Sequence, residues 1–433
     1  VEIRDPVHGS IRILDEEIPI IRNSNFGRMR GIKQLGLSEF VFPGATHTRF
    51  IHAIGVMSIG EKAFDKLFHK RLFSRDIQRI KETFKLACLL HDIGHAPLSH
   101  ATESAMPQLK ELGIPRSFFG PNEIINRQAG HEDYTVKSII DGPLTESFAF
   151  VTSSFGVEPN YIAKLVIGHC EDRTYFTIDG IDYFPILTQL ISSEMDCDRM
   201  DYLLRDSYFC GVSYGHFDLD WLIDNLDLCY QDGQAFLGIS ERAIVTFDDF
   251  LLSRFHMFLM VYFHYRSVCL EQMLIRFFET APGEYRIPSN IEEYLEHDDH
   301  YLMKVLRLSK NRYAQDIVQN KIPEKIYESF NKRQLETLNK LEAYLVSENI
   351  ELIKCSSKSR ISKYYTSEGP KESGISIKVI RKISNSNSMI ISNIEDATDL
   401  FKKFSSEHEV TRLHCRFSEL SKKQQSEIAK IGI

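Results

Sequence analysis

Apolar and polar positions follow two different periods along the chain. Residues 1–19, which begin "VEIRDPVHGSIRIL", alternate with a period of two around Asp5-Pro6 and His8-Gly9, which predicts a short β-hairpin. From about 20 to 345 the apolar residues recur mostly at helical spacing, as in "GVMSIGEKAFDKLF" (55–68), "ILTQLISSEMDCDRMDYLLRDSYFCG" (186–211) and "FLLSRFHMFLMVYFHYRSVCLEQMLIRFFE" (250–279). A second short β-pair is expected near "AFLGISERAIVTF" (235–247). After about 350 the pattern changes. Ser, Lys and Gly crowd a stretch that predicts a mobile loop at about 355–374, and β-like segments at 375–384 and 410–417 flank a helix-like 394–404. The expected fold is mostly α: a helical bundle (1–345) with small β-hairpins, and a small α+β C-terminal lobe (346–433).

Composition narrows this picture. With 433 residues, 43% of them hydrophobic, the chain can bury a large core. The net charge is −8 with both signs mixed, which does not mark a general nucleic-acid binder. Eight cysteines are scattered and none forms a CxxC pair, so a zinc ribbon is not expected; buried free thiols in a reducing cytoplasm are. No run reaches the roughly 20 apolar residues of a membrane span. The nearest, 247–265, carries two Asp, one Arg and two His. No signal peptide is visible, and a cytoplasmic location is the expectation.

The chemistry concentrates in "HDIGHAPLSH" (91–100), directly after the apolar "FKLACLL" (84–90). Ionisable side chains are costly to bury without a partner or a metal. Gly94 and Pro97 end the helix here, placing His91, Asp92, His95 and His100 at a helix C-terminus. Other candidates are His47 and His52, His131 and Glu132, and Asp196, Asp198, Asp201 and Asp206 in "DCDRMDYLLRD" (196–206). Histidines mixed with carboxylates form an N/O set suited to a divalent ion.

These residues carry a resemblance. The order "DPVHG" (5–9), "IKQLG" (32–36), "VFPGATHTRFIHAIGV" (41–56), "HDIGHAPLSH", "HE" (131–132) and "DCDRMDYLLRDS" (196–207) resembles the HD-domain metal-dependent phosphohydrolases. Within them it is similar to the deoxynucleoside triphosphate triphosphohydrolase branch, which includes the SAM-and-HD-domain enzyme and bacterial relatives; no SAM domain is visible. The resemblance covers about residues 1–280. It implies metal-dependent hydrolysis of a dNTP to deoxynucleoside and inorganic triphosphate. It makes His52, His91, Asp92 and Asp198 ligands of one divalent ion, whether Mg, Mn, Fe, Ni or Zn. It gives proton transfer to His95, with His131 and Glu132 nearby. Arg49, His100, Arg199 and Arg254 match phosphate contacts. Gln34 and Asp206 match contacts to the sugar 3′-hydroxyl, Tyr202 and Tyr262 pack along sugar and phosphates, and Leu35 with Tyr262 crowds the 2′ position.

Departures from the family pattern accompany it. Phe258 and Phe263 stand where polar residues are expected near phosphate and base, which keeps open another nucleotide or a single-stranded nucleic-acid end as substrate. At the nucleotide-activator positions Arg22 and Asp220 differ from the family and Arg30 matches. A non-catalytic nucleotide sensor is the remaining alternative. The resemblance also implies a homo-oligomer, dimer or tetramer, for which the apolar 247–280 stretch could supply an interface.

Overall fold

The computed structural model describes residues 1–330, 335–359, 365–366, 369–370, 376–382, 389–400 and 408–432. Its body is helical, with small sheets. The chain opens with the hairpin β1 (Glu2–Asp5) and β2 (Gly9–Arg12), paired antiparallel from Glu2↔Arg12 to Asp5↔Gly9. Then come α1 (Arg49–Phe68), α2 (Arg75–Leu90), α3 (His131–Ile140), α4 (Pro159–Ile167), α5 (Phe184–Ile191) and α6 (Cys197–Cys210). Helix α1 is the hub. It packs on both α2 and α6 and buries Phe50, Ala53, Ile54, Met57 and Phe64. Each fully buried large apolar side chain contributes about 1.5–3 kcal/mol.

Two stretches expected to be continuously helical are broken, and the second break borders a cleft. Between α5 and α6, Asp196 accepts the backbone N–H groups of Ser193 (3.0 Å) and Arg199 (2.8 Å). One carboxylate thus closes the intervening turn and caps the next helix. The 250–279 run divides into α7 (Ile244–Met257), a single wide π turn over Phe258–Tyr262, and α8 (Tyr265–Thr280). Such turns recur at functional sites. Much of this run (Phe250, Leu251, Met257, Val261, Leu270, Met273, Phe277) is buried within the protomer.

The second β-pair lies earlier than expected. Strands β3 (Leu226–Gln231) and β4 (Gln234–Ser240) join through Asp232-Gly233, both at positive φ (50° and 73°). Asp-Gly there is the turn signal, and residues 244–247 already belong to α7.

The C-terminal segments divide between two sheets. They comprise β5 (Glu324–Phe330), α9 (Leu335–Ser347), β6 (Ile353–Ser359), β7 (Lys378–Lys382), β8 (Met389–Asn393), β9 (His408–Cys415) and α10 (Lys422–Gly432). Strand β9 lies between β5 and β6, antiparallel to both, and α9 packs on α10 through Leu338, Leu341, Leu345 and Ile428. Strand β7 instead runs parallel to β4 and pairs with β8. The expected boundary at 345/346 therefore falls inside α9, and elements from both sides of it share a sheet. Most of the expected 355–374 loop, and 401–404 of the expected helix, lie outside the described residues; a short helix covers Ile394–Ala397. Among the described residues no helix is long and apolar enough to cross a membrane.

Candidate active site

Three elements converge on one point. Helix α1 contributes His52, α2 ends in His91-Asp92, and the first turn of α6 contributes Asp198. His52 Nε2 lies 3.0 Å from Asp198 Oδ1 and 3.5 Å from Asp92 Oδ2. His91 Nε2 lies 3.3 Å from Asp92 Oδ1 and 3.6 Å from Asp198 Oδ1. Both Nε2 atoms are buried, and neither makes a hydrogen bond of good geometry. The other ring nitrogens are engaged: His52 Nδ1 with Asp201 Oδ2 at 2.7 Å, His91 Nδ1 with the Cys88 carbonyl at 2.8 Å. Holding Nδ1–H outward leaves the Nε2 lone pair inward, the tautomer a metal ligand needs. Two such nitrogens beside two carboxylates fit a divalent cation. Burial alone would lower both imidazoles; instead Asp198 and Asp201 lift His52, and Asp92 and Asp198 lift His91, each to about 9. The pocket favours positive charge.

Behind this set lies a buried brace. Asp201 receives Arg205 Nε (2.8 Å) and Nη2 (2.9 Å) and meets His8 Nε2 at 2.6 Å. Arg205 Nη1 donates to Asp5 Oδ2 at 2.8 Å. The "DPVHG" turn is thereby tied to the His52 ring. At Gly55 a Cβ would sit 2.0 Å from Asp201 Oδ1, so only glycine lets α1 approach this ion pair.

A second group shares Asp92. His95 Nε2 lies 3.2 Å from Asp92 Oδ1, and its ring stacks on His131 with centroids 3.9 Å apart. His100 stands edge-on to both rings. Glu103 Oε1 accepts from His131 Nδ1 (2.6 Å) and His100 Nδ1 (3.0 Å). Gly94 makes the stacking possible: a Cβ there would be 2.1 Å from the His131 carbonyl oxygen, so loop and α3 meet backbone to backbone. Burial, reinforced by the Arg49 and His131 charges, holds His95 well below the ordinary imidazole range, hence neutral. The hydrogen bonds from His100 and His131 outweigh burial at Glu103 and bring it to about 2.

Leu98 and Ser99 follow with consecutive positive φ (56° and 60°). Such conformations cost non-glycine residues roughly 1–3 kcal/mol each and persist only where surroundings impose them. Here Asp299 accepts Leu98 N–H (2.7 Å) and Lys33 N–H (2.9 Å), and Arg49 Nε donates to Ser99 Oγ (3.0 Å).

A cleft of about 460 Å³ runs outward from Asp92 and Asp198. Gln34, Leu35, Arg49, His95, His100, His131, Tyr202, Asp206 and Tyr262 line it. Asp206 accepts the Tyr262 hydroxyl (2.7 Å) and meets His47 Nε2 (2.7 Å), and Arg49 pairs with Asp92. Three expected residues are placed elsewhere. Glu132 is exposed and does not line the cleft; Glu103 is the carboxylate that meets His131. Arg199 is buried against Asp196 (2.9 Å) and Arg254 against Glu194 (2.9 Å), and neither lines the cleft. Both carboxylates come from the "SEMD" turn that breaks the expected helix. Of the two departing phenylalanines, Phe258 faces the cleft, whereas Phe263 is buried outside it. Glu271 of α8 also lines the cleft, and burial pushes its carboxyl up to about 7. Sequence reasoning missed Glu103, Glu271 and Asp299; the first has only its i+3 spacing from His100 as a signal. Arg30 lies over the Phe50 ring at 3.4 Å.

The site lies within a region that matches a known family model. The HD domain family matches residues 49–203, and the HD associated region matches 217–352. YwfO of Bacillus subtilis, an uncharacterized protein, is 32% identical over 280 residues, 64% of this chain and 55% of that protein. The Dictyostelium discoideum homolog of the deoxynucleoside triphosphate triphosphohydrolase SAMHD1 is 28% identical over 295 residues, 67% of this chain and 51% of that one. The chain spans little more than half the length of the curated relatives it matches. A hypothetical protein from Aquifex aeolicus, seen by crystallography, superposes with a TM-score of 0.74 at 27% identity, covering 99% of both chains. Two histidines and two aspartates thus meet at one point within a matched HD domain, and the chain carries the HD associated region directly after it.

Proposed function

We propose that the protein hydrolyses deoxynucleoside triphosphates to deoxynucleoside and inorganic triphosphate, with His52, His91, Asp92 and Asp198 holding one divalent ion. The observation that carries this reading is the pair of buried, unbonded Nε2 atoms facing Asp92 and Asp198 at the closed end of a cleft. The cleft's walls present Gln34, Asp206 and Tyr262, groups suited to a sugar. The SAMHD1 relatives, named as deoxynucleoside triphosphate triphosphohydrolases, support the substrate class.

A bound divalent ion supplies a polarised phosphoryl oxygen and a water ionised near neutral pH. The chain's own residues do the rest. Arg49 and His100, both in the cleft wall, bring cationic and hydrogen-bonding groups to the phosphates. Attack on the α-phosphorus forms a new P–O bond and breaks the bond to the 5′-oxygen. That oxygen needs a proton, and His95, neutral and oriented by Asp92, relays it in concert with the His131–Glu103 pair. Asp206, fixed by His47 and Tyr262, takes the 3′-hydroxyl with Gln34. Leu35 and Tyr262, both in the cleft wall, would crowd the 2′ position of the sugar and so discriminate by clash.

Incubating purified protein with each dNTP and each of Mg, Mn, Fe, Ni and Zn, then separating products by anion exchange, tests the proposal. Tripolyphosphate is expected. Orthophosphate or pyrophosphate instead would move the protein to a second reading, hydrolysis of another nucleotide or nucleic-acid end, which Phe258 and Glu271 in the cleft wall favour. No hydrolysis with any metal would leave a nucleotide sensor.

A further inference from the structure

We propose a second metal site, remote from the cleft, in which Cys269, Cys355 and His414 bind zinc and staple the β5–β9–β6 sheet to helix α8. The three residues come from α8, β6 and β9. Their two sulfurs and one ring nitrogen lie within 4.8 Å of one another. All three are buried, with relative exposures of 0%, 1% and 0%.

The strand register explains the juxtaposition. Cys355 opposes Arg412 and Ile353 opposes His414 in the antiparallel β6–β9 pair. Side chains opposite and two residues on share a face of a sheet. Cys355 and His414 therefore sit diagonally on one face, the face that packs on α8. Helix α8 supplies the second sulfur.

An independent observation points to a ligand. His414 Nδ1 donates to the Pro323 carbonyl at 3.1 Å, which fixes the tautomer and leaves Nε2 with a lone pair. That Nε2 is buried and has no hydrogen-bond partner among the described residues. An unpaired polar atom in a fully buried site is expensive. The Cys88–Cys197 pair is an internal contrast: those buried thiols also contact each other, but among the described residues no third donor completes a metal-ligand set with them.

The donor chemistry selects the metal class. Two thiolates and one imidazole favour zinc or a similarly thiophilic ion over magnesium or calcium. Binding releases the two thiol protons and gives a neutral cluster. Arg416, close by, is already paired with Asp316 (2.7 Å) and adds no unbalanced repulsion. Among the described residues no fourth His, Cys, Asp or Glu donor joins the set, so a water would complete the coordination. Because α8 carries both Cys269 and Glu271, the ion would couple the C-terminal sheet to a wall of the catalytic cleft.

Cobalt(II) is the probe. The full chain, stripped with chelator and reloaded with cobalt under reducing conditions, is expected to show sulfur-to-cobalt charge-transfer absorption in the near ultraviolet, saturating at one thiolate-bound ion per chain. The HD cluster contains no sulfur donor and cannot give this band. Asp198→Ala should keep the band, and Cys355→Ser should lose it. Absence of the band in the unmodified chain overturns the proposal, as does its persistence in the Cys269→Ser/Cys355→Ser double variant. A native mass two hydrogens low, tracing to a Cys269–Cys355 disulfide, overturns it in favour of a redox pair. Should the variants fail to fold, the spectrum of the unmodified chain and zinc protection of two of its eight cysteines from alkylation still decide.

Discussion

The two flanks of the cleft are built from the same residue types and differ in what stands behind them. On the flank of His52 and His91, buried Arg205 acts through a side chain: it fixes Asp201, which orients the His52 ring. On the flank of His95, buried Arg28 acts on backbone. Its Nη2 donates to the His95 carbonyl (2.7 Å) and its Nε to the His297 carbonyl (3.0 Å), with the guanidinium 4.0 Å from the Tyr294 ring centre. The first arrangement surrounds imidazoles with carboxylates and favours a cation. The second places an imidazole beside Arg49 and His131 and keeps it neutral. On the proposed reading, one residue type takes two tasks, holding a metal and moving a proton, and its neighbours decide which.

Substitutions can break that division. The largest effect is expected for Asp198→Ala, which removes a carboxylate shared by both metal-side imidazoles: turnover should fall by at least about 10³-fold, with bound catalytic metal lost. Next, His95→Gln should cost about 10²–10⁴-fold in kcat while metal content stays unchanged. Loss of the metal in that variant would merge the two flanks into one functional unit. Asp201→Asn should weaken metal affinity by about 10–100-fold, read by titration of the stripped protein, without removing a ligand.

Smaller effects sharpen the comparison. Glu103→Gln should lower kcat by about tenfold or more, through the His131 proton path, whereas Glu132→Gln should change it by less than about twofold. Equal effects would return the carboxylate role to Glu132. The smallest concerns His297, backing the His95 flank. Burial first, then the Arg28 charge, lowers it to about 4 from an ordinary 6.5. A lowered folded-state value means the unfolded chain binds the proton first. Stability from this group is therefore complete above about pH 6.5 and is lost as pH falls toward 4. Scanning calorimetry should show His297→Gln losing less Tm than the unmodified chain across that window.

What the sequence made legible depended on how local each signal was. His91, Asp92, His95 and His100 sit within ten residues, and the Asp-Pro and His-Gly steps mark the first hairpin, so helix end and turn could be read directly. Glu103 could not, since its partner His131 is 28 positions away and reaches it only because Gly94 admits α3. Arg199 and Arg254 looked like phosphate contacts, but the turn carboxylates of Asp196 and Glu194 meet them first. The π turn at Phe258–Tyr262 is invisible in an apolar run, where every position looks equally suited to a helix. The C-terminal sheets depend on strand pairing across tens to more than a hundred residues, which no periodicity encodes.

The contact from Asp5 to Arg205 spans 200 positions, and that from His8 to Asp201 spans 193. During synthesis the opening hairpin must therefore wait until α6 has left the ribosome before its acid and imidazole find their partners. Closing so long a loop is slow relative to forming local helices. Ordering of the His52 ring should accordingly be a late event in refolding, after most helical signal has returned.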